Sequence, residues 1–287
     1  MTHDKLTDAE HFKLASALLP VVLQAGRIEL SYFGNGVEVM SKSDSSPVTA
    51  ADQEAEDVIS RALSEICPDI PIVGEEAAAA GNIPDVGDRF FLVDPLDGTR
   101  DFIAGGDDFT VNIALVEKNE PVFGVVYQPP TGRLFITVAR DKALEATVDA
   151  GAQCTSLDEI DTQAIRPRGA NLTTDADITV AISRSHPSQA LEEQLNTQGL
   201  ERRLKVGSSL KFCLLARGDA DIYPRLTSIS EWDTAAGHAI VTAAGGAVLQ
   251  LDGGALYYGD RANKYRIQPF VAWANSSLIS KYRFVAE

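Results

Sequence analysis

The run Asp94-Pro95-Leu96-Asp97-Gly98-Thr99 follows directly on the apolar stretch Phe90 to Val93. Two carboxylates three residues apart, with Pro95 setting φ and Gly98 freeing the backbone, can converge at the end of a strand, where the Leu96 carbonyl can face the same point. Oxygen-only donors of this kind select hard cations such as Mg²⁺. A helix beginning at Gly98 and Thr99 would add free amides that favour a phosphate. The competing reading is an Asx-type turn with solvated aspartates.

Further acids supply what one turn cannot. Glu75 and Glu76 come just after the apolar run Ile70 to Val73 and Gly74, so a carboxylate sits at a strand terminus. Asp233 precedes the apolar helical window Thr234 to Ala244, where an ordinary N-cap is the other reading. Asp52 completes Thr49-x-x-Asp52, a variant of the capping box.

Helices and strands must bring these acids together. Phe12, Ala15, Leu19 and Val22 recur at helical spacing and predict a helix to about Tyr32, which Pro20 should kink or start afresh. A second helix is expected from about Ala50 to Ile66, stopped by Pro68, with a polar loop from Ser41 to Pro47 before it. From Phe90 the pattern changes to short apolar runs, Phe90 to Val93, Phe109 to Val116, Val122 to Tyr127 and Leu134 to Val138, at the spacing of an antiparallel meander. After the polar stretch Ser156 to Asp177, β runs (Ile178 to Ile182, Arg203 to Val206, Asp221 to Tyr223, Ala247 to Leu251) alternate with helical windows at Gln189 to Thr197, Ser209 to Arg217 and Thr234 to Ala244. The expected fold class is an α+β first half, residues 1–170, followed by an α/β second half, 171–287.

Composition bounds the function classes. With 287 residues, 45% apolar and 23% charged, the chain has the profile of a globular protein rather than a disordered or fibrous one. A net charge of −16 without a basic tract argues against a nucleic-acid polymer as partner. Cys67, Cys154 and Cys213 are too scattered for a disulfide framework and fit a reducing cytosol. The run Leu14 to Leu23 is too short for a transmembrane segment and lacks the basic start of a signal peptide.

In their order and separation, Gly74-Glu75-Glu76, Asp94-Pro95-Leu96-Asp97-Gly98-Thr99 and Trp232-Asp233-Thr234-Ala235-Ala236-Gly237 resemble the three signatures of the inositol monophosphatase superfamily. The resemblance covers about residues 10 to 275 and implies a layered αβαβα sandwich and a Mg²⁺-dependent, lithium-sensitive phosphatase using two or three ions. It implies that Glu75, Asp94, the Leu96 carbonyl, Asp97 and Asp233 bind Mg²⁺. Glu75 and Thr99, with Asp52, would orient the attacking water. It also implies a cytoplasmic enzyme, leaves room for peripheral contact with the inner membrane, and leaves oligomeric state open.

Ser183-Arg184-Ser185-His186, Gly207-Ser208-Ser209-Leu210-Lys211-Phe212-Cys213 and Tyr223-Pro224-Arg225 resemble the CysQ-type 3'(2'),5'-bisphosphate nucleotidase branch. That branch cleaves adenosine 3',5'-bisphosphate to AMP and phosphate and is tied to sulfur metabolism. Ser183, His186, Gly207, Ser208, Lys211 and Arg225, with Gly98, would then join the metal-side residues in holding the substrate. The physical logic is a second anion site: hydroxyls and amides at the Gly207 turn, with charge from Lys211 or Arg225, suit a phosphate remote from the metals. Lys211 as a solvated helix lysine, Arg225 as a surface ion-pair partner and His186 as a loop or core histidine are the competing readings. His238, Tyr223, Trp232 and Phe212 read as packing residues. Three rivals frame the expectation: an inositol monophosphatase, a more distant fructose-1,6-bisphosphatase activity, and a non-catalytic Mg²⁺ and nucleotide sensor; the sensor predicts a missing ligand or a missing Thr99, whereas every expected ligand and Thr99 are present. The Ala77 to Ala80 run and the polar insert from Leu157 to Thr174 have no assigned role.

Overall fold

The computed structural model describes residues 6–34, 40–41, 47–169 and 177–287. The interior of the loop expected between Ser41 and Pro47 and the boundary expected at residue 170 lie outside the described residues. The first helix, α1 (Asp8–Tyr32), starts from a capping box in which the Thr7 hydroxyl accepts from the Glu10 N–H and the Glu10 carboxylate accepts from the Thr7 N–H. Pro20 lies inside one continuous helix, so of the two outcomes expected there, a kink or a fresh start, the helix does not start afresh. Leu18, Leu19, Val21 and Val22 are buried on either side of it, so packing holds the turn whose hydrogen bond proline cannot make.

As a 25-residue helix, α1 is long and apolar enough to cross a membrane by length and composition, which the shorter apolar run did not suggest. Its Leu14, Leu18 and Val22 nevertheless belong to the protein core. Two short strands, β1 (Met40–Ser41) and β2 (Pro47–Val48), pair antiparallel ahead of α2 (Ala50–Ile66). The second helix has the expected bounds, buries Ala51, Ala55, Ile59 and Leu63, and ends at Cys67 just before Pro68.

The first sheet begins with β3 (Ile72–Gly74), which runs straight into α3 (Glu75–Ala79). Next come β4 (Arg89–Asp97), followed by α4 (Thr99–Ile103), then β5 (Thr110–Glu117) and β6 (Glu120–Gln128). The sheet ends with β7 (Arg133–Ala139), β8 (Lys142–Thr147) and β9 (Thr162–Ile165). All seven strands lie in chain order, with β3 parallel to β4 and the rest the expected antiparallel meander. The last two strands were not expected: two of the four residues of the edge strand β9 are exposed, so no apolar run marks it.

The second half contains β10 (Thr179–Ser183), α5 (Gln189–Thr197), β11 (Arg202–Val206), α6 (Leu210–Arg217) and β12 (Ile222–Arg225). It continues with β13 (Ile229–Ser230), α7 (Trp232–Ala244), β14 (Ala247–Gln250), β15 (Arg266–Ile267), β16 (Phe270–Trp273) and α8 (Ser276–Ile279). The sheet order is β11-β10-β12-β16-β14. Parallel pairing of β10 with β11 and β12 fits the expected crossovers, but β16 is antiparallel to both its neighbours, so the sheet is mixed.

Strand alternation builds the layers. On β4, Phe91 and Val93 pack with Leu18 and Val22 of α1 and with Ile59 of α2. The alternate residues Phe90 and Leu92 join Phe212 of α6, Ala236 and Ile240 of α7, and Tyr223 and Phe270 of the second sheet. The other face of that sheet, through Val180, Ile182 and Val271, packs with Leu191 and Leu195 of α5 and with Leu278. Helices, sheet, helices, sheet and helices therefore stack as the expected αβαβα sandwich. Each fully buried phenylalanine at these seams contributes roughly 1.5–3 kcal/mol of hydrophobic stabilisation.

Candidate active site

The ends of β3 and β4 and the first turn of α7 meet at a cavity of about 310 Å³. Residues three apart on a regular strand face opposite sides, yet Asp94 and Asp97 both line this cavity. The register of β4 against β5 shifts between them, around Pro95, and an irregularity of that kind re-aims side chains. Gly98 has φ of 100°, and a Cβ there would lie 2.6 Å from the Asp108 carbonyl oxygen, so this turn requires glycine.

Glu75, Asp94 and Asp233 each present an oxygen such that the three lie within 4.8 Å of one another. Asp233 sits in the first turn of α7 behind Glu231, so it is not the N-cap. Burial, then repulsion from Asp97 and Glu75, raises its carboxyl well above the usual range. Asp97 stands apart from this trio. Its Oδ2 accepts from the Ser209 N–H at 2.5 Å and from Asn112 Nδ2 at 3.4 Å, and burial pushes it up to about 6 against the pull of Lys211. A crowded, oxygen-only set in which Asp97 and Asp233 resist ionisation is what a hard divalent cation relieves, so these residues fit Mg²⁺.

Asp52 serves two partners. Its Oδ2 accepts from the Thr49 N–H at 2.8 Å and the Thr49 hydroxyl at 2.6 Å, the expected capping box. Its Oδ1 lies 3.3 Å from Thr99 Oγ1, which is also 3.2 Å from the Leu96 carbonyl. Whichever acceptor takes the hydroxyl proton, the Thr99 oxygen keeps lone pairs toward the cavity it lines.

The same cavity also has a basic lining. Lys211 is buried, donates to the Ser208 carbonyl, lies 5.3 Å over the Tyr223 ring, and is lowered to about 8 by burial. That excludes the solvated reading. Arg225 also lines the cavity, has no ion pair among the described residues, and has a buried Nε without a partner. His186 receives Arg100 Nη1 on Nε2 at 2.9 Å, and burial with the nearby cations lowers its pKa. Ser183 accepts from the His186 N–H at 3.1 Å.

Gly207 does not line the cavity: its N–H goes to Asp108 Oδ2 at 2.6 Å, while the Ser209 amide goes to Asp97. From that turn it is Ser208, at φ of 46°, that reaches the cavity. The sequence reading missed Arg100, Asp101, Ser228, Ile229, Ser230 and Arg266, which with Ser185, quoted there only as part of its motif, complete the lining. Arg100 and Asp101 follow Thr99 directly and were findable by extending the motif along α4. The other four lie on or beside β13 and β15, two-residue strands with no periodic pattern. His238 bonds Tyr258 at 2.9 Å and stays outside the cavity. Phe212 and Tyr223 are buried in the core and also form cavity wall.

The model of the inositol monophosphatase family matches residues 10–281. A 3'(2'),5'-bisphosphate nucleotidase CysQ of Salmonella typhimurium is 43% identical over 204 residues, 71% of this chain and 76% of that protein. The crystal structure of CysQ from Bacteroides thetaiotaomicron superposes with a TM-score of 0.74 at 32% identity, covering 91% of this chain and 97% of that one. An inositol monophosphatase from Zymomonas mobilis shares the fold, with a TM-score of 0.72 at 24% identity over 94% of this chain and 96% of that one. The chain therefore belongs to the inositol monophosphatase family, whose enzymes are generally metal dependent.

Proposed function

We propose that the protein is a Mg²⁺-dependent 3'(2'),5'-bisphosphate nucleotidase that hydrolyses the 3'-phosphate of adenosine 3',5'-bisphosphate to AMP and phosphate. The observation that carries this reading is one cavity lined both by clustered carboxylates and by Lys211, Arg225 and the Arg100–His186 pair. A monophosphate of a polyol has nothing to offer the basic lining. The similarity to CysQ supports the same substrate.

Glu75, Asp94, Asp97, Asp233 and the Leu96 carbonyl would hold two or three Mg²⁺ ions. Bound there, Mg²⁺ supplies charge neutralisation for the phosphoryl oxygens and a more acidic water. Asp52 holds Thr99 so that the threonine oxygen accepts a proton of the attacking water, and Glu75 orients the same water. Gly98 lets the turn approach the phosphate. At the far end Lys211, Arg225, Ser208, Ser183 and His186 hold the 5'-phosphate and fix which ester reaches the metals; Gly207 supports that turn from behind. A division into a metal-binding domain, 1–170, and a substrate-specificity domain, 171–287, fits most of these roles, with Asp233 of α7 crossing it to complete the metal end. A cytoplasmic location fits the three free cysteines, and a nucleotide rather than a nucleic-acid polymer fits the acidic surface charge.

The test is initial rates of phosphate release from adenosine 3',5'-bisphosphate, inositol 1-phosphate and fructose 1,6-bisphosphate, with Mg²⁺ and with chelator. The expected result is a strong preference for the first and no turnover without the metal. A preference for inositol 1-phosphate would return the assignment to the general inositol-phosphatase branch.

A further inference from the structure

Asp108 does not line the cavity but packs behind it against both the Gly98 turn and the Gly207 turn. It is 7% exposed, and its Oδ2 carries two bonds into the second sheet. One is the Gly207 N–H at 2.6 Å, just beyond β11; the other is Arg184 Nη1 at 2.8 Å, just beyond β10. Its backbone meets the metal side, because a Cβ on Gly98 would lie 2.6 Å from the Asp108 carbonyl oxygen. A Cβ on Gly207 would lie 2.7 Å from Asp108 Cβ. One residue is thus pressed against the glycine of the metal turn on one side and the glycine of the remote-phosphate turn on the other. A second stitch runs nearby, from Ser185 Oγ to Asp101 Oδ2 at 2.6 Å.

We propose that Asp108 is the spacer that sets the distance between the metal end and the remote-phosphate end, and so is a positioning residue for bisphosphate specificity. The inference rests on the substrate reading above. Packing on both glycines leaves no slack for the Gly207-Ser208 turn to drift toward or away from the metal turn. The ion pair with Arg184 and the Gly207 amide neutralise a carboxylate that would otherwise repel the phosphate beside it. Removing the carboxylate frees the turn that presents Ser208 and receives the Lys211 ammonium. Glu75, Asp94 and Asp233 are anchored at the ends of β3 and β4 and on α7, and Asp97 still holds the turn one residue further on through the Ser209 N–H at 2.5 Å, which confines the drift to Gly207 and Ser208.

The experiment compares wild type, Asp108→Asn and Asp108→Ala on adenosine 3',5'-bisphosphate and adenosine 3'-monophosphate, with kcat and KM determined separately. A misplacement of the anion turn by about an ångström should raise KM for the bisphosphate about 10-fold or more in Asp108→Ala, with both constants for the 3'-monophosphate held within about threefold. Asp108→Asn keeps the volume and one acceptor for the Gly207 amide, so it guards against misfolding and should show a smaller loss in the same direction. Equal losses on both substrates, or no loss in either variant, would overturn the spacer role while leaving the substrate reading intact. A wild type that does not prefer the bisphosphate over the 3'-monophosphate would overturn the substrate reading and the spacer role with it.

Discussion

At one end of the cavity burial and mutual repulsion raise carboxylates, Asp97 to about 6 and Asp233 well above its ordinary value. At the other end the same cause, burial, acts on cations and lowers Lys211 to about 8 and His186 below the usual histidine range. Each end destabilises its own charged form and is relieved by a ligand of opposite sign. The ends also differ in stiffness. The acids are short side chains on strand and helix termini, whereas Lys211 and Arg225 reach the cavity on long stems. Substitutions at the metal end should therefore act in an all-or-none manner, and substitutions at the basic end by degrees.

Asp94→Asn should break the acidic end most completely. Turnover at saturating Mg²⁺ is expected to fall by about 10²–10³-fold or more. The thermal midpoint should hold or rise, because removing one clustered charge relieves repulsion. Retention of more than about a tenth of the wild-type rate, a loss under 1.4 kcal/mol, would remove Asp94 from its central place.

Thr99→Ala comes next. With the water no longer oriented, kcat should drop about 10²-fold while KM stays nearly constant, the signature of a contact made in the transition state. A change in KM alone would reassign Thr99 to substrate binding.

At the basic end, Arg225→Ala should weaken use of the bisphosphate by about 1.5–3 kcal/mol, typical of a charge-assisted hydrogen bond, and hardly touch adenosine 3'-monophosphate. Parallel losses on both substrates would erase the distinction between the two ends. The mildest effect is one of pH. Lys211 is cationic below about 8, so its grip on the remote phosphate is present below that value and lost as pH rises through it. A kcat/KM profile for the bisphosphate should fall above pH 8 and level off at a loss of about tenfold, the worth of one charge-assisted contact, and the 3'-monophosphate profile should lack that limb.

The same contrast explains what was legible in the sequence. The metal-end residues occur in contiguous runs at the ends of regular elements, so Glu75, the Asp94 to Thr99 turn and Asp233 could be read directly. The register shift that turns Asp94 and Asp97 to one side has no local signal beyond Pro95. Long-range partners were not visible: Asp97 meets Ser209 across 112 positions, and Asp108 meets Gly207 across 99. The layered sandwich came from the family resemblance and not from periodicity, and β16, buried throughout, shows no alternation to find. The continuity of α1 through Pro20 is a tertiary effect, since packing on both sides of the proline outweighs the lost hydrogen bond.

Phosphorus NMR of adenosine 3',5'-bisphosphate turning over in oxygen-18-labelled water tests both ends in one spectrum. The account predicts loss of the 3'-phosphate resonance, an unchanged 5'-phosphate, and the heavy oxygen in the released inorganic phosphate. Loss of the 5'-phosphate, or label in the nucleotide instead of the phosphate, would contradict it.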